Sequence, residues 1–180
     1  MINKKIKLKN DIELIIRKAK ISDALEIIEY VDTISGETDF LTFGKGEFNK
    51  TLEEEEKIIE EHNNSENRIF LVAEINNKII GVLNVNANNK KRLKHICFFG
   101  ISVKKDYWGQ GVASNLILTL IEWAKSTGII KKINLSVLEN NITAIDLYKK
   151  FGFKIEGVIT RDLYLNGIYY NSLAMGIEID

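Results

Sequence analysis

The chain has no proline, a single cysteine, two histidines and a formal net charge of zero. Each shortage excludes something. One thiol, Cys97, closes no internal disulfide and cannot anchor a Cys-rich metal site, which fits a reducing compartment. No metal is implied. Proteins that grip nucleic acid need a basic excess to neutralise phosphates, yet Lys+Arg and Asp+Glu are both 25. Nucleic acid is therefore not an expected partner. No apolar run approaches the roughly 20 residues of a membrane span, so no membrane is expected either. The basic start, Met1-Ile2-Asn3-Lys4-Lys5, is not followed by an apolar stretch of signal length. The expectation is a soluble, cytoplasmic protein.

The chain has 180 residues, 45% of them hydrophobic and 28% charged. These are ordinary values for one globular domain with one core. No linker or repeat divides it, so residues 1–180 read as a single domain. Ile12 to Arg17 reads as a short strand. Ser22 then stands as the cap of a helix with Ala24, Leu25, Ile27, Ile28 and Val31 on its apolar face. The glycine-bearing segment from Thr33 to Phe48 reads as a loop. Thr51 followed by Glu54 is a capping box for a second helix. The acidic run Glu53 to Glu56 lies in its first turns and reads as a solvated face favoured by the helix dipole.

Strands dominate next. Ile69 to Ile75 and Lys78 to Asn86 flank Asn76-Asn77 as a hairpin. A polar turn then leads to a third strand from Lys94 to Val103. The cluster Lys90, Lys91, Arg92 and Lys94 reads as a solvated hairpin end. Ala113, Leu116, Ile117, Leu120, Ile121 and Ala124 form the stripe of a helix that Gly128 stops. Ile133 to Val137 is a strand and Asn141 to Phe151 a helix. Two final strands flank Asn166-Gly167, a type I′ hairpin signal. The expectation is a mixed α/β (α+β) fold with a mostly antiparallel sheet of about seven strands and about four helices. The strand–helix–strand unit from Lys94 to Val137 would add a local parallel pairing.

The turn Val103 to Ser114 carries the most chemistry. Gly109 and Gly111 open a helix, where unpaired N–H groups and the positive dipole end make an anion site. A dinucleotide fingerprint needs a third small residue at its own spacing in an early strand–turn–helix unit, whereas this turn lies past mid-chain after an antiparallel meander, and the Lys followed by Ser or Thr of a P-loop is absent. A second cluster follows from Leu135 to Phe153, containing Asn141, Ala144, Leu147, Tyr148, Gly152 and Phe153.

Together, in this order, the clusters resemble the GCN5-related N-acetyltransferase (GNAT) superfamily. That signature, Gln/Arg-x-x-Gly-x-Gly/Ala, reads Trp108-Gly109-Gln110-Gly111-Val112-Ala113 here, with Trp108 in place of Gln or Arg. The resemblance covers most of the chain and is strongest from His95 to Tyr164. It implies an acetyl-CoA-dependent N-acetyltransferase. Ile101, Ser102 and Val103 would hold the pantetheine arm and thioester through their backbone. Trp108, Gly109, Gln110, Gly111, Val112, Ala113 and Ser114 would hold the pyrophosphate, and Asn141, Ala144 and Tyr148 would line the coenzyme arm.

Tyr148 is the implied general acid for the departing thiolate. It equally suits a core position, since Ala144, Leu147, Tyr148 and Phe151 share a helical face. Asn141 is equally an ordinary helix cap. His95 is the candidate base and equally a strand-end residue. The strand carries no glutamate, which some members use instead. His62, in a polar segment, reads as solvated, and Cys97 as a buried hydrophobe. Glu37, Asp39 and Phe40 lie where the family builds its acceptor pocket, and Arg161-Asp162 with the Asn166-Gly167 hairpin would close its other side. The implied partner is a small-molecule amine, amino acids included, as in a bacterial subgroup the chain resembles. A homodimer is compatible with this. The alternatives are acetylation of a protein N-terminus and acetyl-CoA sensing without catalysis.

Overall fold

A computed structural model describes residues 2–8 and 11–180. Its strands are β1 (Asn3–Lys7), β2 (Glu13–Lys18), β3 (Ile69–Ile75), β4 (Lys78–Ala87), β5 (Ile96–Val103), β6 (Lys132–Leu138), β7 (Lys154–Leu165) and β8 (Ile168–Glu178). Its helices are α1 (Ala24–Ser35), α2 (Leu52–Asn63), α3 (Val112–Thr127) and α4 (Ile142–Lys150). The strands form one sheet of eight in the order β1-β2-β3-β4-β5-β6-β8-β7. Only β5 and β6 run parallel, joined through α3.

The sheet has one strand more than the roughly seven expected. The addition, β1, pairs antiparallel with β2 from Asn3–Arg17 to Lys7–Glu13. Its sequence, NKKIK, is mostly charged and polar. Such a strand suits a sheet edge, where lysines discourage pairing with other chains, and shows no apolar alternation to mark it.

Strand alternation sends side chains to two faces. Leu71, Leu83, Val85, Cys97 and Phe99 join α3 and α4 in the larger core. Phe70, Val72, Ile79 and the partly buried Val82 join Ile27, Tyr30 and Ile59 of α1 and α2 in the smaller one. Local signals set several element ends. The Thr51 hydroxyl accepts the Glu54 amide, and the Glu54 carboxylate accepts the Thr51 amide, fixing the start of α2. Asn166 and Gly167 both adopt positive φ, at 51° and 83°, as a type I′ turn requires.

Two expected boundaries move. Ser22 does not cap α1, because Ile21–Asp23 is a short 3-10 turn and the helix begins after it. Asp23 closes that turn by accepting the Lys20 amide at 2.7 Å. Strand β5 begins at Ile96 rather than Lys94, which leaves His95 in the preceding turn.

Asp23 also anchors a charge network. The Arg17 guanidinium lies 2.6 Å from Asp23 and 2.8 Å from Glu74, joining β2, β3 and the start of α1. The three side chains are only 10–16% exposed. Burial pushes the Asp23 carboxyl up, but the Arg17 guanidinium and the Lys20 amide outweigh it and hold the group below its ordinary range.

Arg17→Ala leaves two buried carboxylates without their counter-charge and is expected to cost about 3 kcal/mol in urea unfolding. The Asp23 contribution is complete above the unfolded carboxylate value of about 4 and is lost as pH falls through the lower folded value. Unfolding midpoints from pH 7 downward should show that acid loss in the wild type and less of it in the variant.

Candidate active site

The last parallel pair between β5 and β6 is Phe98 with Asn134, yet β5 continues to Val103 and β6 to Leu138. Beyond that pair the strands part and open a cleft of about 1120 Å³. On its other edge β5 stays paired with β4 out to Val103–Gly81. The parted edge from Phe99 onward therefore offers backbone donors and acceptors that no strand consumes.

At the wide end of the cleft lies the turn into α3. Gly109 and Gly111 take φ of 71° and 90°, conformations that glycine adopts without Cβ strain. Gly111 is the N-cap of α3 and supplies no side chain, so no side-chain cap occupies the first-turn amides. Those amides suit a phosphate. The Trp108 indole donates to the Val103 carbonyl at 2.7 Å, and the Gln110 amide to the Asp106 carbonyl at 2.8 Å. Both side chains thus brace the turn.

Ile101 to Val103, Trp108 to Ser114, and Asn141, Ala144 and Tyr148 all line this one cleft. Asn141 caps α4, its Oδ1 accepting the Ala144 amide at 3.2 Å. Tyr148 stands edge-on to Phe99 and Phe153, with ring centroids 5.9 and 5.8 Å away. Burial pushes its phenol up to about 12. Tyr30 of α1 reaches across the sheet face to share a 3.0 Å hydrogen bond with Ser102.

The acceptor side differs from the sequence reading. Phe40 and Glu37 line the cleft and Asp39 does not. Glu37 is engaged structurally, since its carboxylate accepts the Lys105 amide at 2.7 Å and ties the α1–α2 loop to the turn after β5. His95 lies outside the cleft, at the closed end of the β5–β6 pair. Its carbonyl accepts the Lys131 and Lys132 amides at 2.8 and 3.1 Å. Of the β7 residues, Asp162 reaches the cleft, while Arg161 stacks over Tyr169 at 5.1 Å.

Two residues expected in solvent are buried. His62 is packed edge-on against Phe70 with Nδ1 2.7 Å from the Ile58 carbonyl, and burial lowers its pKa. Glu55 is 1% exposed and lines the cleft beneath the α1–α2 loop. The signal for both was present. Once the capping box sets the helix start, Glu55, Ile59 and His62 fall at i, i+4 and i+7 on the buried face. Cys97 is buried as expected, and its thiol is pushed up to about 12. Among the described residues, no group of three or more His, Cys, Asp or Glu side chains gathers as a metal site. No described helix is long and apolar enough to cross a membrane.

A strand splayed from its parallel neighbour over a glycine-opened helix defines a class, and comparison with known proteins agrees. Residues 37–153 match the acetyltransferase (GNAT) family, and the chain belongs to that family. It is similar to a solved GNAT-family acetyltransferase from Streptococcus pneumoniae, with a TM-score of 0.91 and 37% identity, covering 93% of this chain and 100% of that one. It is also similar to the L-amino acid N-acetyltransferase AaaT of Escherichia coli (strain K12), 35% identical over 58% of this chain and 65% of that protein. The spermidine N(1)-acetyltransferase of the same organism is 30% identical over 44% of this chain and 42% of that protein. Both matches to these curated relatives therefore span less than two thirds of their length.

Gly111→Ala forces a left-handed Cβ conformation at φ 90° and adds a methyl group beside the anion site. Gly128→Ala meets a similar φ of 64° at the far end of α3. Each should cost about 1–2 kcal/mol of stability. Calorimetric titration with acetyl-CoA should show weakened binding for the first variant only.

Proposed function

We propose that the protein transfers the acetyl group of acetyl-CoA to the primary amine of a small molecule, with amino acids the leading class. The observation that carries this reading is continuity. One cleft runs from the free amides of α3, along the parted edge of β5 and past Tyr148, to a pocket under the α1–α2 loop. Donor and acceptor could meet there without a domain movement.

The residues suit the chemistry in order. The first-turn amides and dipole of α3 attract the pyrophosphate. The β5 edge pairs with the pantetheine arm as a missing strand would. A β5 N–H donates to the thioester oxygen as it becomes an oxyanion. The amine lone pair forms the C–N bond, the tetrahedral centre collapses, and the C–S bond breaks. Tyr148 hydrogen-bonds the departing sulfur. At about 12, its phenol stays protonated through the working range and is a weaker acid than an ordinary tyrosine. Its part is to donate to developing charge on sulfur, which ends as the thiol. The names of the two curated relatives, an amino-acid and a spermidine acetyltransferase, support a small amine as acceptor.

The test is thiol release from acetyl-CoA across free L-amino acids, polyamines, aminoglycosides and short peptides with free N-termini. Turnover on free amines supports the proposal, and turnover on peptides alone replaces it with N-terminal acetylation. Tyr148→Phe should lower kcat about 100-fold with acetyl-CoA affinity unchanged. A fully active variant removes Tyr148 from the mechanism.

A further inference from the structure

The reaction proposed above needs a group to take a proton from the amine, which is mostly ammonium at neutral pH. Strand β5 does not supply one. The positions opposite Val82, Asn84 and Asn86, on the face toward α1 and α2, are Ser102, Gly100 and Phe98. Ser102 is hydrogen-bonded to Tyr30. Gly100 has no side chain, and a Cβ there would sit 3.0 Å from Asn84 Oδ1. The sequence candidate, His95, is outside the cleft.

Helix α2 fills that gap. Glu55 lines the same cleft at 1% exposure, and its Oε2 has no hydrogen-bond partner. A buried carboxylate oxygen held only by one ion pair at the limit of hydrogen-bond reach leaves room for a closer donor. Its nearest counter-charge is Lys50, with Nζ 3.5 Å from Oε2. Lys50 is 38% exposed on a flexible stem and also lies 5.1 Å over the Phe48 ring. Among the described residues, the other titratable group that bears on it is His62, on the same helix. Helix α1 and strand β4 face this part of the cleft with Ile27, Val31, Val82 and the neutral Asn84. Burial raises the Glu55 pKa toward the range useful to a base. Phe43, Phe48, Ile58 and Phe70, which line the same cleft, belong to the apolar cluster that α2 packs into.

We propose that Glu55 is the acceptor carboxylate: it binds the incoming ammonium and takes its proton, and the acceptor is a primary amine borne on an apolar body. The ammonium displaces Lys50, which swings toward solvent. One proton passes from nitrogen to Glu55, and the freed lone pair attacks the thioester carbon. The second nitrogen proton leaves as the C–S bond breaks, and one proton ends on sulfur. The net release is one proton, returned to solvent through Glu55. This rests on the acetyl-transfer reading. The aromatic and aliphatic residues packed beside Glu55 suit an apolar body better than the further ammonium groups of a polyamine.

The experiment is steady-state acetylation of 2-phenylethylamine, L-leucine and spermidine by the wild type, Glu55→Gln and Glu55→Asp, with acetyl-CoA binding measured separately. The glutamine is isosteric and uncharged, so its melting temperature should match or exceed the wild type. At pH 7 it should lose at least 100-fold in kcat/KM for the amine with acetyl-CoA affinity unchanged. The loss should narrow toward pH 10, where free amine no longer needs a base. Glu55→Asp should recover at least tenfold over the glutamine variant. The wild type should prefer an apolar monoamine to spermidine by at least tenfold. An active wild type with an equally active Glu55→Gln overturns the role of Glu55 alone. So do equal losses in both variants that persist at pH 10. A preference for spermidine overturns the acceptor class. A wild type that binds acetyl-CoA and acetylates no amine overturns the acetyl-transfer reading and this one with it.

Discussion

Everything in the site depends on β5 and β6 ceasing to pair after Phe98 and Asn134. A parallel pair that continued to Val103 would bury the backbone groups the cleft needs and close the space above α4. The parting is held from both sides. Strand β4 keeps β5 in register through Val103, and β8 keeps β6 in register through Leu138–Ser172. Each strand is thus a full sheet member on one edge and a ligand edge on the other. The cost of unpaired backbone is confined to one side of two strands and is offset by whatever occupies the wedge.

The larger core makes that arrangement rigid. Phe99, Tyr148 and Phe153 pack within 6 Å of one another at tilted or edge-on angles, linking β5, α4 and the entry to β7. Tyr148 therefore serves the core and the cleft at once, and the two readings of its helical spacing are not rivals. The smaller core does the same for the other end. Ile27, Tyr30 and Ile59 seat α1 and α2 against β3 and β4, and that packing carries Glu55 into the cleft.

What could be read in the chain beforehand was local. The capping box at Thr51, the left-handed stops at Gly128 and Asn166-Gly167, and the apolar stripe of α3 act over a few residues, and all took the expected form. The glycine turn into α3 belongs with them as a conformation, since its glycines and its helix are neighbours in sequence. Errors arose where tertiary placement outweighed local character. Glu55 sits in a run of four glutamates that looks like a solvated face, and its burial follows from where α2 docks. Asp39 and His95 stand close in sequence to good motifs, but a loop turn and a strand start two residues later than expected carry them away. β1 carries no strand signal in its sequence because an edge strand needs no apolar alternation. Glu37 was read as a charge for substrate and is a hydrogen-bond acceptor for backbone.

That last bond has a thermodynamic consequence. Glu37 belongs to the α1–α2 loop and Lys105 to the turn between β5 and α3. Two segments clasped by one charge-assisted hydrogen bond would share their entropy of ordering. A ligand that stills the turn prepays part of the cost of stilling the loop, and the second ligand then binds to a surface already quieted. Such coupling is reciprocal by necessity, so the acceptor must strengthen the hold on the donor by the same factor. A single carboxylate at the cleft wall would thus tie the occupancy of one end of the cleft to that of the other.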